Sequence, residues 1–308
     1  MRQPVIIVDS LVKKLNNRLI LDNISFNVER REIFGYLGPN GAGKTTTLRI
    51  LLGLMKPTSG SALVLGEDLS KNINLRRKVG VVLENDGLYS RLTAYENLDF
   101  YGQIYGMSNN TERDRRIKEL LDLVGLYNER NKRVGYYSRG MRRRLAIARA
   151  LIHDPEIIFM DEPTSGLDPE AKIMVRNLIF RLAREKDVTI FLISHDLDEV
   201  ERLCLRVAIL VNGRIVALDF IRKLMHNFER KSIEITFKSI EDAVKASRYL
   251  DNKGILHNLI GNSIKIFYQD DNISNVLKFL TTMGLKVIDI RRKEKSLYDI
   301  YLKIVGGD

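Results

Sequence analysis

The chain has 308 residues, 44% of them hydrophobic, which is enough for a full α/β core and a smaller second unit. No apolar run approaches the ~20 residues that span a bilayer, the opening MRQPVIIVDS holds too short an apolar stretch for a signal peptide, and the single cysteine, Cys204, excludes an internal disulfide. Lysine and arginine outnumber aspartate and glutamate by 50 to 39, and the resulting charge of +11 suits nucleic acid or the anionic inner face of a membrane. The arginine-rich stretches Arg113–Lys118 and Arg139–Arg149 lack the interleaved aromatics of a base-stacking platform, so no nucleic-acid partner is expected. They read instead as solvated helical faces near lipid head groups. Cys204 reads as a packing residue in a helix, and the cytoplasm fits best.

In chain order, Val5–Val8 and Ile24–Val28 read as strands of an antiparallel layer. Glu32–Leu37 (EIFGYL) reads as a buried strand, and Thr46–Leu54 as a helix with Leu48, Leu51 and Leu52 on one stripe. Between them Gly38–Thr46 (GPNGAGKTT) fits the phosphate-loop pattern G-x-x-x-x-G-K-[ST]. Its glycines let the backbone form a nest of inward N–H groups, and the helix presents the positive end of its dipole to phosphate. Gly38, Pro39, Asn40, Gly41, Ala42, Gly43, Lys44, Thr45 and Thr46 are therefore expected to hold a triphosphate. Lys44 would bridge its β- and γ-phosphates, Thr45 would ligate Mg²⁺, and Thr46 would touch the α-phosphate.

Val79–Leu83 is the next strand. From Asn85 to Ala150 helical periodicity replaces the β pattern, which predicts a helical insertion. Within it Leu88–Met107 carries Tyr89, Tyr95, Phe100, Tyr101 and Tyr105, with Leu92, Tyr95 and Leu98 as core candidates. The insertion ends on Tyr137–Arg144 (YSRGMRRR) and Leu145–Ile152. Ser138 is a good N-cap there, and Leu145, Ala148 and Leu151 recur at helical spacing. A helix start kept open by Gly140 makes a second anion site. Arg142 and Arg143 suit a solvated face.

Ile157–Met160 (IIFM) is a short buried strand that ends in Asp161-Glu162, at the edge where open α/β sheets bind ligands. Asp161 reads as the Mg²⁺ holder, through water, and Glu162 as the base or polariser of an attacking water. Val188–Ile193 brings Ser194-His195-Asp196 to the same edge, where His195 would contact a γ-phosphate. The loop and the acidic pair together predict binding and hydrolysis of a nucleoside triphosphate. Asn212-Gly213, between Val207–Val211 and Arg214–Ala217, is a hairpin signal that closes this domain. Beyond Glu229, strands are expected at Ile233–Lys238, Ile255–Leu259, Ile264–Tyr268 and Leu285–Ile290, and helices at Ile240–Leu250 and Ile273–Thr281. The order β-α-β-β-α-β suggests a ferredoxin-like unit, followed by a short helix over Ser296–Ile304. It holds no catalytic constellation.

Over about Val5–Leu224 these segments resemble the nucleotide-binding subunit of ATP-binding cassette (ABC) transporters. The likeness rests on the phosphate loop, the SRGM form of the signature at Ser138–Met141, Asp161-Glu162, SGLDP at Ser165–Pro169, and His195. It implies an α/β fold: a P-loop NTPase core of mostly parallel strands, with an antiparallel layer and a helical insertion at about 85–150, in residues 1–228. Residues 229–308 would be an accessory α+β domain. The implied protein is an ATPase using ATP and Mg²⁺, peripheral on the inner face of the cell membrane. Its implied partners are a separate integral-membrane permease and a second ATP-binding subunit, identical or a sibling. In such a pair Ser138 and Gly140 of one chain meet the γ-phosphate held by Lys44 of the other, and Asp168 links the two sites. The segment Leu88–Met107, through Tyr89 and Tyr101, would receive a helix of the membrane subunit.

Three departures from the family pattern stand out. Leu15 occupies the place of an adenine-stacking aromatic, which predicts poor base selectivity. Glu84 replaces a glutamine that senses Mg²⁺ and the lytic water, and its carboxylate would also ligate the metal. Arg139 and Met141 replace the commoner glycine and glutamine of the signature, a variant that looks like the branch serving drug, lipid or polysaccharide export. An importer ATPase with a ligand-sensing tail, or a soluble regulatory ABC ATPase, stays open as an alternative.

Overall fold

Pro4–Leu15 (β1) and Arg18–Glu29 (β2) pair as an antiparallel hairpin, much longer than the apolar runs alone suggest. Its turn is Asn16-Asn17, with φ of 46° and 61°, left-handed angles that asparagine tolerates. This computed structural model describes residues 4–227, 231–268, 278, 280, 282–293 and 296–306. They divide into one unit running to Ile221 and another from Arg222 onward.

In the first unit Ser59–Val64 (β4), a strand without a clear apolar pattern, pairs with the free side of β1. The larger sheet is built from Ile33–Leu37 (β3), Val79–Val82 (β5), Ile157–Asp161 (β6), Thr189–Ser194 (β7), Arg206–Val211 (β8) and Arg214–Phe220 (β9). Its order is β5-β6-β7-β3-β8-β9, parallel except for the β8–β9 hairpin over Asn212-Gly213. Strands β3 and β7 are buried along their whole length, as expected where elements cover both faces. Residues of the two sheets share one core, in which the rings of Phe26, Phe34, Tyr36 and Phe191 lie 5.4–6.0 Å apart.

Helix α1 runs Lys44–Leu51, two residues earlier than the leucine stripe suggests, because Gly43 at φ 111° turns the chain directly into it. It stops short of Leu54 because Gly53 adopts φ 66°. The insertion supplies α2 (Ala94–Ile104), opened by a Thr93/Glu96 capping box, α3 (Asn110–Leu123) and α4 (Arg139–Leu151). Leu98 is core, whereas Leu92 and Tyr95 are half-buried. Helices α5 (Pro169–Glu185) and α6 (Leu197–Leu203) follow β6 and β7, and α7 (Ile221–Asn227) follows β9. Cys204 caps the end of α6 rather than lying inside it, and burial pushes its thiol well up.

In the second unit Lys231–Phe237 (β10), His257–Ile260 (β11), Ser263–Tyr268 (β12) and Val287–Lys293 (β13) form an antiparallel sheet in the order β11-β12-β10-β13. Helix α8 (Ile240–Asn252) packs Ala243, Ala246 and Leu250 into a core with Ile233, Ile235, Phe237, Ile264 and Ile266. The expected helix over Ile273–Thr281 lies, apart from Lys278 and Leu280, outside the described residues. Helix α9 (Leu297–Gly306) ends the unit.

Candidate active site

The phosphate loop leaves β3 at Gly38, where a Cβ would stand 2.2 Å from the Leu210 carbonyl oxygen. At Gly43 a left-handed φ combines with a Cβ position 2.6 Å from Leu21, so any side chain would be strained twice over. The loop curls around Lys44, whose Nζ donates to the carbonyls of Gly38 (2.6 Å) and Pro39 (3.1 Å). Burial lowers the Lys44 pKa, and the charges of Glu162 and Asp161 oppose that. Behind the loop the Thr47 hydroxyl lies 3.2 Å from the Gly43 carbonyl and 3.1 Å from the Tyr36 hydroxyl, holding the start of α1 to β3.

A cleft of about 520 Å³ opens over this loop. Its lining joins Asn40, Gly41 and Gly43–Thr46 to Glu84, Asp161 and Glu162, which arrive from three different crossovers. Asp161 ends β6, and burial first, then the charges of Glu162 and Glu84, hold its carboxyl above the usual range. Glu162 takes φ 51° while its N–H donates to the Ile193 carbonyl at 2.9 Å, a backbone strain of the kind that collects at functional sites. His195 reaches the cleft through Glu162: its Nδ1 lies 2.7 Å from Glu162 Oε1. The preceding Ser194 hydroxyl donates to buried Glu199 at 2.7 Å and accepts from the Asp196 N–H at 3.1 Å, fixing the turn that carries His195.

Ser138, Gly140 and Asp168 are not among the residues that line this cleft. Ser138 caps α4, its hydroxyl accepting from the Met141 N–H at 3.2 Å. Asp168 caps α5 in the same way, accepting from the Ala171 N–H at 2.8 Å. A Cβ on Gly140 would sit 2.7 Å from that of Ala171, so the two helix starts touch there. A second cleft of about 280 Å³ lies between Arg139, Arg142 and Arg143 and the Ser165–Leu167 turn, and Glu84 lines both clefts.

The arginines of α4 correct the expectation of a solvated face. Arg143 is only 7% exposed and donates to the carbonyls of Leu83 (2.6 Å) and Glu84 (3.1 Å). Arg149 donates to Val81 (2.8 Å), and Arg142 grips both oxygens of Asp86 (2.7 and 3.2 Å). Although burial pushes the Asp86 carboxyl up, its bond to Arg142 and the Leu88 N–H bring it below the usual range. This basic run thus staples the segment that carries Glu84. Arg113 is buried too, bonded to Asp99, Met107 and Asn110.

Sequence reasoning missed Arg18, Leu19 and Ile20 of β2, and Asn212-Gly213, all of which line the main cleft. The last pair carried a turn signal but none for a binding role. Leu15 pairs with Arg18 beside the turn and is not among the lining residues. In the insertion Tyr89 and Phe100 are exposed with ring centroids 5.1 Å apart, while Tyr101 is half-buried and donates to the Gly87 carbonyl at 2.9 Å.

Comparison with known proteins agrees with this geometry. A family model described as ABC transporter matches residues 21–165. The chain is 37% identical over 310 residues to the bacitracin transport ATP-binding protein BcrA of Bacillus licheniformis, with 98% of each covered. It is 46% identical over 211 residues to the Nod factor export ATP-binding protein I of Rhizobium sp. (strain N33), with 67% of each covered. A dimeric ATP-binding cassette solved in a post-hydrolysis state with ADP and Pi superposes with a TM-score of 0.61 at 29% identity, covering 70% of this chain and 98% of the other.

Proposed function

We propose, from the premise that this chain belongs to the ABC transporter family as an ATP-binding subunit, that its hydrolysis of ATP drives export through a separate membrane permease. The observation that carries this reading is the gathering of Lys44, Asp161 and the Glu162–His195 pair at the C-terminal edge of one parallel sheet. Export is the direction of the Nod factor relative. The bacitracin relative aligns along nearly the whole chain, the second unit included, which supports a transporter role over a soluble regulatory one.

The donor set fits Mg²⁺. Thr45, Asp161 and Glu84 offer hard oxygens on the cleft, and the Asp161 carboxyl, raised by burial and then by the charges of Glu162 and Glu84, is one a divalent cation would relieve. When bound, the ion supplies neutralisation of charge on the β- and γ-phosphate oxygens. Lys44 leaves the loop carbonyls for the γ-phosphate, and the N–H groups of residues 41–46 hold the β-phosphate. Glu162 orients and deprotonates the attacking water, held by His195, whose other ring nitrogen is the atom available to the γ-phosphate. Ser138 and Gly140 do not line their own cleft, and in this reading they serve the γ-phosphate of a second copy, with Asp168 linking the two sites. Closure then stabilises the dimer through charge-assisted bonds, and hydrolysis loosens it.

Residues 1–228 act as this motor and 229–308 as an accessory domain, with the whole assembly on the cytoplasmic face of the membrane. The permease docks beside the segment that Arg142, Arg143 and Arg149 staple, so movement at Glu84 passes to it directly. Phosphate release and substrate export from membranes holding chain and permease test the reading. Both should fall to background in Lys44→Ala, and export that survives without hydrolysis contradicts it.

A further inference from the structure

We propose that Arg18 holds the base of the bound nucleotide, its guanidinium plane serving where an aromatic ring would stack, and that the cleft accepts guanine as well as adenine nucleotides. The inference rests on the nucleotide-site reading above and identifies its substrate class. Beyond the phosphate cradle, the cleft is bounded by Arg18, Leu19 and Ile20 of β2. No lining residue is aromatic. Leu19 is 45% exposed and offers one apolar surface.

The position of this strand on the loop is built in. Gly213 of the β8–β9 turn donates its N–H to the Ala42 carbonyl at 3.1 Å, and its own carbonyl accepts from the Asp22 N–H at 2.8 Å. Arg214 closes the same junction by pairing with Asp22 at 2.5 Å. A Cβ at Gly213 would come within 2.4 Å of the Ile20 carbonyl oxygen, so the turn, the phosphate loop and β2 are packed without slack. The strand that carries Arg18 is therefore fixed relative to the phosphates.

The Arg18 side chain has no salt bridge or hydrogen bond among the described residues, unlike those of Arg139, Arg142 and Arg143 in the neighbouring cleft. The phosphate end already has Lys44 and the loop amides. A free planar cation at the other wall matches the remaining part of the ligand, the flat base, on which guanidinium groups stack. Stacking is indifferent to base identity because every base has a π face. The consequence is purine tolerance rather than ATP selectivity.

The test uses the full chain with the imido analogues of ATP and GTP and with inorganic tripolyphosphate, each with Mg²⁺, in calorimetric titrations of wild type, Arg18→Ala and Arg18→Lys. Arg18 is exposed, so neither substitution should disturb folding. The expected wild-type Kd values for the two analogues lie within about tenfold of each other. Arg18→Ala should weaken both by about three- to tenfold, Arg18→Lys should fail to restore them, and tripolyphosphate should bind all three proteins alike. An unchanged Kd in Arg18→Ala overturns the proposal. So does a parallel loss of tripolyphosphate binding rescued by lysine, which would make Arg18 a phosphate ligand, and so does strict adenine preference. If wild type binds neither analogue, the nucleotide site itself is wrong, a result distinct from a failure at Arg18 alone.

Discussion

His195 Nδ1 and Glu162 Oε1 stand 2.7 Å apart, joining the ends of two adjacent parallel strands. A carboxylate at that distance selects the imidazole tautomer with its proton on Nδ1, and the bond in turn restrains Glu162 in its left-handed backbone. Neither residue contributes a phosphate-loop contact. His195→Ala should accordingly lower kcat by roughly 10- to 1000-fold with KM for ATP changed less than about threefold. Steady-state phosphate release checks this, and a loss confined to KM would remove His195 from the chemistry.

Glu199 gives a pH-dependent stability. It is fully buried and accepts a bond from Ser194. Burial, and then the charges of Asp196 and Glu162, raise its pKa despite that bond. A carboxyl with a raised folded pKa costs nothing below its unfolded pKa and penalises the fold increasingly as pH climbs through the folded value. Glu199→Gln keeps an acceptor for Ser194 without the charge. Its Tm should match wild type near pH 4.5 and exceed it by a few degrees, about 2–4 °C per kcal/mol relieved, at pH 8. Thermal unfolding across that range measures the difference.

Arg143 anchors the Glu84 segment through two carbonyls while nearly buried. Arg143→Met would leave the volume filled but both carbonyls without this donor. A loss of about 1.5–3 kcal/mol is expected from denaturant unfolding. Arg142→Ala should cost less, about 1 kcal/mol or under, since its pair with Asp86 is only partly buried.

The exposed aromatic pair of the insertion separates hydrolysis from transport. Tyr89 and Phe100 contact each other edge to face at the surface, while Tyr101 is tethered by Gly87 and lies 5.2 Å under the Arg149 guanidinium. Tyr89→Ala with Phe100→Ala should keep phosphate release by the isolated chain within about twofold and lower coupled export more than tenfold. Export at wild-type rate would place the permease elsewhere.

What was legible in the sequence shares one physical property. The phosphate loop, the Asp161-Glu162 pair and His195 each stand at the end of a short, buried, mostly apolar strand, and a parallel sheet brings such ends to one edge whatever the rest of the chain does. Arg143 and Arg149 were misjudged because a basic helical run looks the same whether its guanidinium groups face water or cap buried carbonyls. Arg18 and Asn212 escaped because they reach the cleft only through a junction such as Asp22–Arg214, between residues 192 positions apart. No local pattern records that approach. The first strand of the second unit was readable from alternation, since its core positions Ile233, Ile235 and Phe237 recur with period two, whereas the pairing of the sheet is seen only in the structure.

The absence of Ser138 and Gly140 from the lining of the Lys44 cleft leads to the last prediction. Gly140 of the signature helix start lies beside Ala171, and neither Ser138 nor Gly140 lines the phosphate cradle; under the function proposed above, a second copy supplies them to the γ-phosphate. Glu162→Gln keeps the cradle and the shape of the site but loses the base, so it should bind ATP, hydrolyse at least 100-fold more slowly, and accumulate as a dimer with ATP and Mg²⁺. Lys44→Ala removes the γ-phosphate contact and should stay monomeric under the same conditions. Light scattering coupled to size exclusion distinguishes the two. Because the bonds that close the dimer run through the γ-phosphate, ADP should fail to trap Glu162→Gln, and a dimer formed equally well with ADP would locate the stabilising contacts outside the nucleotide.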